Sequence, residues 1–210
     1  MKTILLTGFA PFGADAVNPS WEALTLLPDQ AEGVRLVRRR LPVAYDQVAG
    51  LLARAVEEVC PDAVLCVGQA GGRTGLTPEL AALNWKDAAL PDNAGVSYGG
   101  VPICPEGPAA YFATVPVKEM VAAIRAAGVP AALSCSAGTY VCNCTMYHLL
   151  RLLEARYPAV QGGFLHVPYA SEQVLDRPAA PSLPLPLIAA GIQAAALAIA
   201  RGPTAGERHP

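Results

Sequence analysis

Ala63-Val64-Leu65-Cys66-Val67-Gly68-Gln69-Ala70-Gly71-Gly72-Arg73 is the stretch from which the architecture is read. Its first five residues are apolar without alternation, so a strand made of them has no solvent face and needs cover on both sides. Pro61-Asp62 halts the segment before it, and the glycines from Gly68 onward end the strand in a loop. Upstream, Val48, Leu51, Leu52, Ala55 and Val56 recur at helical spacing within 44–60. The same alternation extends both ways. Strands are expected at 4–6, 34–39, 131–135 and 163–167, and helices at 21–27, 115–127, 141–157 and from the Pro-rich loop 177–186 through Arg201. Asn18-Pro19-Ser20 suits the start of the first helix, with a capping side chain and a proline in the first turn. Buried strands alternating with helices predict a three-layer α/β/α sandwich with a mostly parallel, mixed sheet. Ligands of such sheets sit beyond the carboxyl ends of the strands. The polar segments 7–13, 68–75 and 136–143 fall there, and so does His166. The stretch 88–106, rich in Gly and Pro, reads as a loop or hairpin near that edge.

Composition narrows the function classes. The 210 residues suit one large domain, expected over 1–201 with a frayed tail at 202–210. Hydrophobic residues at 53% and charged residues at 15% exclude disorder. A net charge of −2 with no basic run argues against a nucleic-acid partner. Arg38-Arg39-Arg40 reads as a solvated strand end. No targeting signal is read at the start, and no apolar run approaches the roughly 18 residues of a membrane helix. A soluble cytoplasmic protein is expected, with its six cysteines reduced. Cys66 reads as a small core residue, and Cys60 and Cys135 are assigned likewise.

The chemistry begins at Gly138-Thr139-Tyr140-Val141-Cys142-Asn143, where a loop of small residues runs into an amphipathic helix. Unpaired N–H groups at a helix start favour anions, and a thiol there tends to ionise to its nucleophilic form. Of the three histidines, His209 lies in the tail and His148 lies two turns beyond Cys142 on the helix. His166 stands in an apolar strand, where a histidine is commonly structural. Its position at a strand end beside a helix-start cysteine points instead to a general base. A third group should hold its tautomer, and Glu79, Asp87 and Asp92 are candidates.

Seven blocks occur in register: 7–13 (Thr-Gly-Phe-Ala-Pro-Phe-Gly), 18–22 (Asn-Pro-Ser-Trp-Glu), 68–73, 77–79 (Thr-Pro-Glu), 91–93 (Pro-Asp-Asn), 137–143 and 163–168. Together they closely resemble the type I pyroglutamyl peptidases, over about residues 3 to 175. The resemblance implies a cysteine peptidase that removes an N-terminal pyroglutamyl residue through a thioester, without metal or cofactor. It implies Cys142 as nucleophile, His166 as base and then acid, and Glu79 as the group orienting His166. It further implies that Phe9, Phe12 and Tyr140 enclose the ring, Leu90 and Val141 form an apolar wall, and Gln69 meets the ring amide. A homo-oligomer, dimer or tetramer, goes with the family. The chain departs from the pattern at Tyr140 (Phe in the family), Leu80 and Ala89 (both often Arg) and Cys144 (often His).

Two other chemistries fit parts of the sequence. Cys142, Cys144, His148 and His166 contain a usable zinc pair in Cys144 and His148. The glycine-rich 68–74 loop could cradle a phosphate, as in a nucleoside phosphorylase-like enzyme, although it lacks the ending of a P-loop. A non-catalytic binding protein of the same fold is the remaining alternative.

Overall fold

The computed structural model describes residues 1–202. The expected frayed tail, beyond Gly202, lies outside the described residues. In chain order the elements are β1 (Thr3–Phe9), α1 (Pro19–Thr25), β2 (Gln30–Ala31), β3 (Val34–Leu41), α2 (Tyr45–Val59), β4 (Ala63–Gln69), β5 (Thr77–Pro78), β6 (Ala81–Leu83), β7 (Lys86–Asp87), β8 (Gly99–Val101), β9 (Ala110–Phe112), α3 (Val117–Ala126), α4 (Val141–Arg156), β10 (Gln161–Val167), β11 (Tyr169–Ala170), β12 (Ser182–Leu183) and α5 (Leu185–Arg201). A six-stranded sheet runs β2-β3-β1-β4-β10-β5. The four central strands pair parallel, and β2 and β5 add antiparallel edges.

The apolar runs are buried on both sides, and alternate residues serve different layers. Leu5, Phe9, Val64, Cys66 and Phe164 pack with residues of α2 and α4. Ile4, Leu6, Leu65, Val67, Leu165 and Val167 pack against α1, α3 and α5. This is the expected α/β/α sandwich with a mostly parallel, mixed sheet. The start of α1 is as the sequence suggested: Asn18 is the cap, its side chain accepts from Ser20 N at 3.1 Å, and Pro19 opens the first turn. The start of α2 has no such local signal. Its Tyr45 N–H donates to Asp92 Oδ2 at 2.8 Å, a cap delivered by a distant loop.

Three expectations are corrected. The segment 131–135 is extended but is no strand of the sheet; it joins the chain around β5 through the isolated parallel bridges Leu76↔Ala131 and Glu79↔Ser134. The reason is Pro78. Leu76 N donates to Pro130 O, Ala132 N to Leu76 O, Ser134 N to Pro78 O and Leu80 N to Ser134 O. The missing rung of that ladder is the one Pro78 would donate, and proline has no N–H. Cys60 and Cys135, assigned to the core, are exposed. Cys60 ends α2 in a left-handed conformation (φ 46°), outside the packed face of the helix. The 88–106 stretch is a hairpin excursion as expected, β8 pairing antiparallel with β7. Among the described residues no helix is long and apolar enough to cross a membrane.

Candidate active site

Parallel register brings the site together at the carboxyl ends of β4 and β10. His166 pairs with Gly68. Paired residues on neighbouring strands face the same side, so the imidazole and the missing side chain of Gly68 both lie on the α2/α4 side. Cys142, the second residue of α4, comes down onto that glycine. A Cβ at Gly68 would stand 2.8 Å from Cys142 Sγ and 2.8 Å from Phe164 Cζ. Only a residue without a side chain lets the thiol reach the sheet here. The Phe164 ring lies two residues before His166 on the same face, with centroids 4.8 Å apart, and walls the imidazole on that side.

Glu79 is brought to the imidazole by the short edge strand. β5 pairs antiparallel with β10, His166 opposite Thr77, and Glu79 N donates to Phe164 O at 2.9 Å. The fully buried Glu79 then sets Oε1 2.6 Å from Nδ1 of His166. A carboxylate can only accept, so the imidazole proton belongs on Nδ1 and Nε2 keeps its lone pair. The other two acids go elsewhere. Asp92 caps α2, and its Oδ1 accepts from Ala94 N and Val96 N. Asp87 is exposed, and its backbone pairs with Thr139. Glu79 thus stands directly after the edge strand β5, in an extended segment.

Electrostatics modify the expectation of an ionised thiol. Burial pushes the Cys142 thiol up to about 12, helped by the Glu79 carboxylate and by Cys66; Arg73 and the Cys142 backbone N–H oppose the shift. Burial also lowers the proton affinity of His166, against the pull of Glu79. Both shifts favour the neutral forms: the desolvation of a sheet-facing thiol works against the helix start.

The residues assigned to the ring pocket separate into two levels. Phe9 and Val141 are fully buried, and Phe9 packs on Phe164 with centroids 6.3 Å apart. Phe12 and Tyr140 keep partial exposure with ring centroids 6.1 Å apart, and Leu90 is exposed beside Gly13. The Tyr140 hydroxyl donates to Pro91 O at 3.0 Å and so ties the loop bearing Leu90 to the start of α4. The side-chain amide of Gln69 is already engaged, donating to Asp15 Oδ2 at 2.9 Å and accepting from Gln173 at 3.1 Å.

Sequence reasoning missed two positioning groups. Asn143, beside the thiol and fully buried, receives from Leu83 N and donates to Leu83 O and Trp85 O, locking the first turn of α4 to the β6 segment. A buried amide inside a helix is a polar group that needs such partners, which was the available signal. Arg73, in the loop after β4, contacts Glu79 Oε1 at 2.9 Å. The residues weighed as zinc ligands do not converge among the described residues. Cys144 is buried in the α2/α4 layer, and His148 lies in a groove with Ala49, Ala53 and Leu152, its proton affinity lowered by burial.

A thiol at a helix start stands over the glycine that pairs with a carboxylate-backed imidazole at the carboxyl ends of a parallel sheet, an arrangement that fits a hydrolase of the cysteine class. Comparison with known proteins narrows that class: the chain belongs to the pyroglutamyl peptidase family, whose model matches residues 2–202. It is 48% identical over 196 residues to a pyrrolidone-carboxylate peptidase of Streptococcus pyogenes, covering 93% of this chain and 91% of that protein. The pyroglutamyl peptidase I of Bacillus amyloliquefaciens superposes with a TM-score of 0.93 at 43% identity, over 96% of this chain and 98% of that one. The pyrrolidone carboxyl peptidase of Thermococcus litoralis gives 0.91 at 34% identity, over 96% and 94%.

Proposed function

We propose that the protein removes an N-terminal pyroglutamyl residue from peptides, with Cys142 as nucleophile, His166 as general base and then acid, and Glu79 orienting the imidazole. The observation carrying this reading is the buried 2.6 Å contact between His166 Nδ1 and Glu79 Oε1, one strand from the glycine that admits Cys142 Sγ. Because burial favours the neutral thiol and the neutral imidazole, proton transfer accompanies attack in this reading. Nε2 takes the thiol proton as sulfur bonds to the pyroglutamyl carbonyl carbon. The oxyanion is received by N–H groups of the first turn of α4, which no side chain caps. Such donors contribute about 3 kcal/mol each. Collapse breaks the C–N bond, and the imidazolium gives its proton to the departing amine. Water, deprotonated by the same nitrogen, then cleaves the thioester and releases pyroglutamate.

The pyroglutamyl ring is flat and uncharged. Phe12 and Tyr140 bracket it above the buried Phe9 and Val141, Leu90 closes the side, and Gln69 stands at the ring amide in this reading. The phosphate-binding and non-catalytic alternatives are not favoured, since Gly68 is occupied by the approach of the thiol and Arg73 by Glu79. Residues 1–201 act as one catalytic domain, working in the cytoplasm as a dimer or tetramer. Large apolar side chains left exposed, Leu175 at 81% and Phe112 at 66% among them, support association, and six free thiols support a reducing compartment.

The test is one chromogenic amide in pyroglutamyl, prolyl and alanyl forms. Only the first should be cleaved, and Cys142→Ala should lose activity by about 10⁴-fold or more. Full turnover by Cys142→Ala would end the thiol reading.

A further inference from the structure

Arg73 approaches the buried carboxylate from the loop after β4. Gly72 turns that loop through a left-handed conformation (φ 89°), and the guanidinium comes back toward β5. Its Nη1 donates to Thr77 Oγ1 and lies 2.9 Å from Glu79 Oε1. That is the same oxygen that meets His166 Nδ1 at 2.6 Å. Glu79 Oε2 is buried without a partner. The carboxylate, shut off from water, is therefore held through one oxygen, by a hydrogen-bonding partner and an ion-pair partner. One is a neutral imidazole and the other a full cation. Take the cation away and the buried carboxylate keeps one neutral donor, a setting in which a carboxyl group takes up a proton. A protonated Glu79 donates to Nδ1 instead of accepting from it. That moves the imidazole hydrogen to Nε2, the atom that must receive the thiol proton.

We propose that Arg73 is a positioning residue of the reaction: it holds Glu79 as a carboxylate and so keeps His166 in the tautomer that can accept the Cys142 proton. The proposal rests on the Cys142, His166 and Glu79 reading and deepens it. The groups facing Glu79 are Arg73 from the loop after β4, His166 from β10 and Cys142 from α4, with Cys66 of β4 beside the thiol. From α3, packed on β5, Arg125 is turned to Ala131 O at 2.8 Å, Lys118 is exposed and Glu119 half-exposed.

The experiment measures kcat and KM against pH with the pyroglutamyl amide for Arg73→Gln, Arg73→Lys, Glu79→Gln and the Arg73→Gln/Glu79→Gln double variant, beside Cys142→Ala. Arg73→Gln should lower kcat by about 10- to 100-fold with KM within about twofold, and should move the acid limb of kcat to higher pH. Arg73→Lys should recover part of both. In the Glu79→Gln background, Arg73→Gln should change kcat by less than about twofold, because its effect runs through the carboxylate. Wild-type kcat and acid limb in Arg73→Gln, a change in KM alone, or a full additional loss on top of Glu79→Gln would each overturn the proposal. If Arg73→Gln fails to fold by circular dichroism, Arg73→Lys decides: a shifted acid limb at normal KM supports the proposal and wild-type kinetics overturn it. An active Cys142→Ala would instead overturn the triad itself, a separate result.

Discussion

The two faces of the central sheet are cut from the same strands and do different work. On the side of α1, α3 and α5, β4 and β10 present Leu65, Val67, Leu165 and Val167, all fully buried. On the side of α2 and α4 the same strands present Cys66, Gly68, Phe164 and His166. The first face is apolar and buried to the ends of the strands. The second begins as apolar core at Val64 and ends in a missing side chain, a thiol from above and an imidazole backed by a buried carboxylate. Period-two alternation lets neighbouring residues serve stability and chemistry separately. The lesson is that the polar groups of the second face sit where the first face holds the strands rigid.

The contrast can be tested by substitution on each side. Leu165→Ala empties the filled face and should cost about 2–5 kcal/mol of stability in denaturant unfolding. Below its melting range it should keep kcat/KM within about twofold, so a large loss of activity there would show that the faces are not independent. Gly68→Ala acts on the other face. Its Cβ would meet Cys142 Sγ and Phe164 Cζ at 2.8 Å, so about 1–3 kcal/mol of overpacking cost and at least a tenfold drop in kcat/KM are expected. Wild-type kinetics in Gly68→Ala would mean that the thiol does not stand over the strand.

Acid should act on the second face as well. Burial keeps the proton affinity of His166 below the free value of about 6.5. As pH falls below that value the unfolded chain takes up a proton that the folded chain refuses. The stability contributed by the neutral buried imidazole is therefore complete above about pH 6.5 and declines below it. Thermal melting of wild type should fall more steeply than that of His166→Gln in the acid range; equal slopes would contradict the burial argument. The smallest effect expected is that of Tyr140→Phe. Losing the hydroxyl bond to Pro91 O should raise KM a few-fold, about 0.5–1.5 kcal/mol, with kcat unchanged. An unchanged KM would detach the Leu90 loop from ring binding.

Much of this was legible in the chain. The apolar run at 63–67, the Asn18-Pro19 helix start and the helix from Val141 carry their own local signals, and each forms as read. The segments around Thr77 and Ala81 were not seen, because two- and three-residue strands are too short to show a period. The run 131–135 looked like a strand because its composition is right. Its ladder fails at the absent N–H of Pro78, a residue more than fifty positions earlier. Cys142, His166 and Glu79 were all named from the sequence, the last through a family resemblance. From residue type alone Asp87 and Asp92 were equal candidates.

Local patterns settled which segments are strands and helices and which residue types could do thiol chemistry, because periodicity, capping and side-chain reactivity belong to neighbours in the chain. Three-dimensional packing settled which acid stands behind His166, that burial raises the proton affinity of the thiol, and that Arg73 shares the carboxylate. Those outcomes depend on desolvation and on distances of a few ångströms between residues far apart in sequence, and they exist only once the sheet has closed around them.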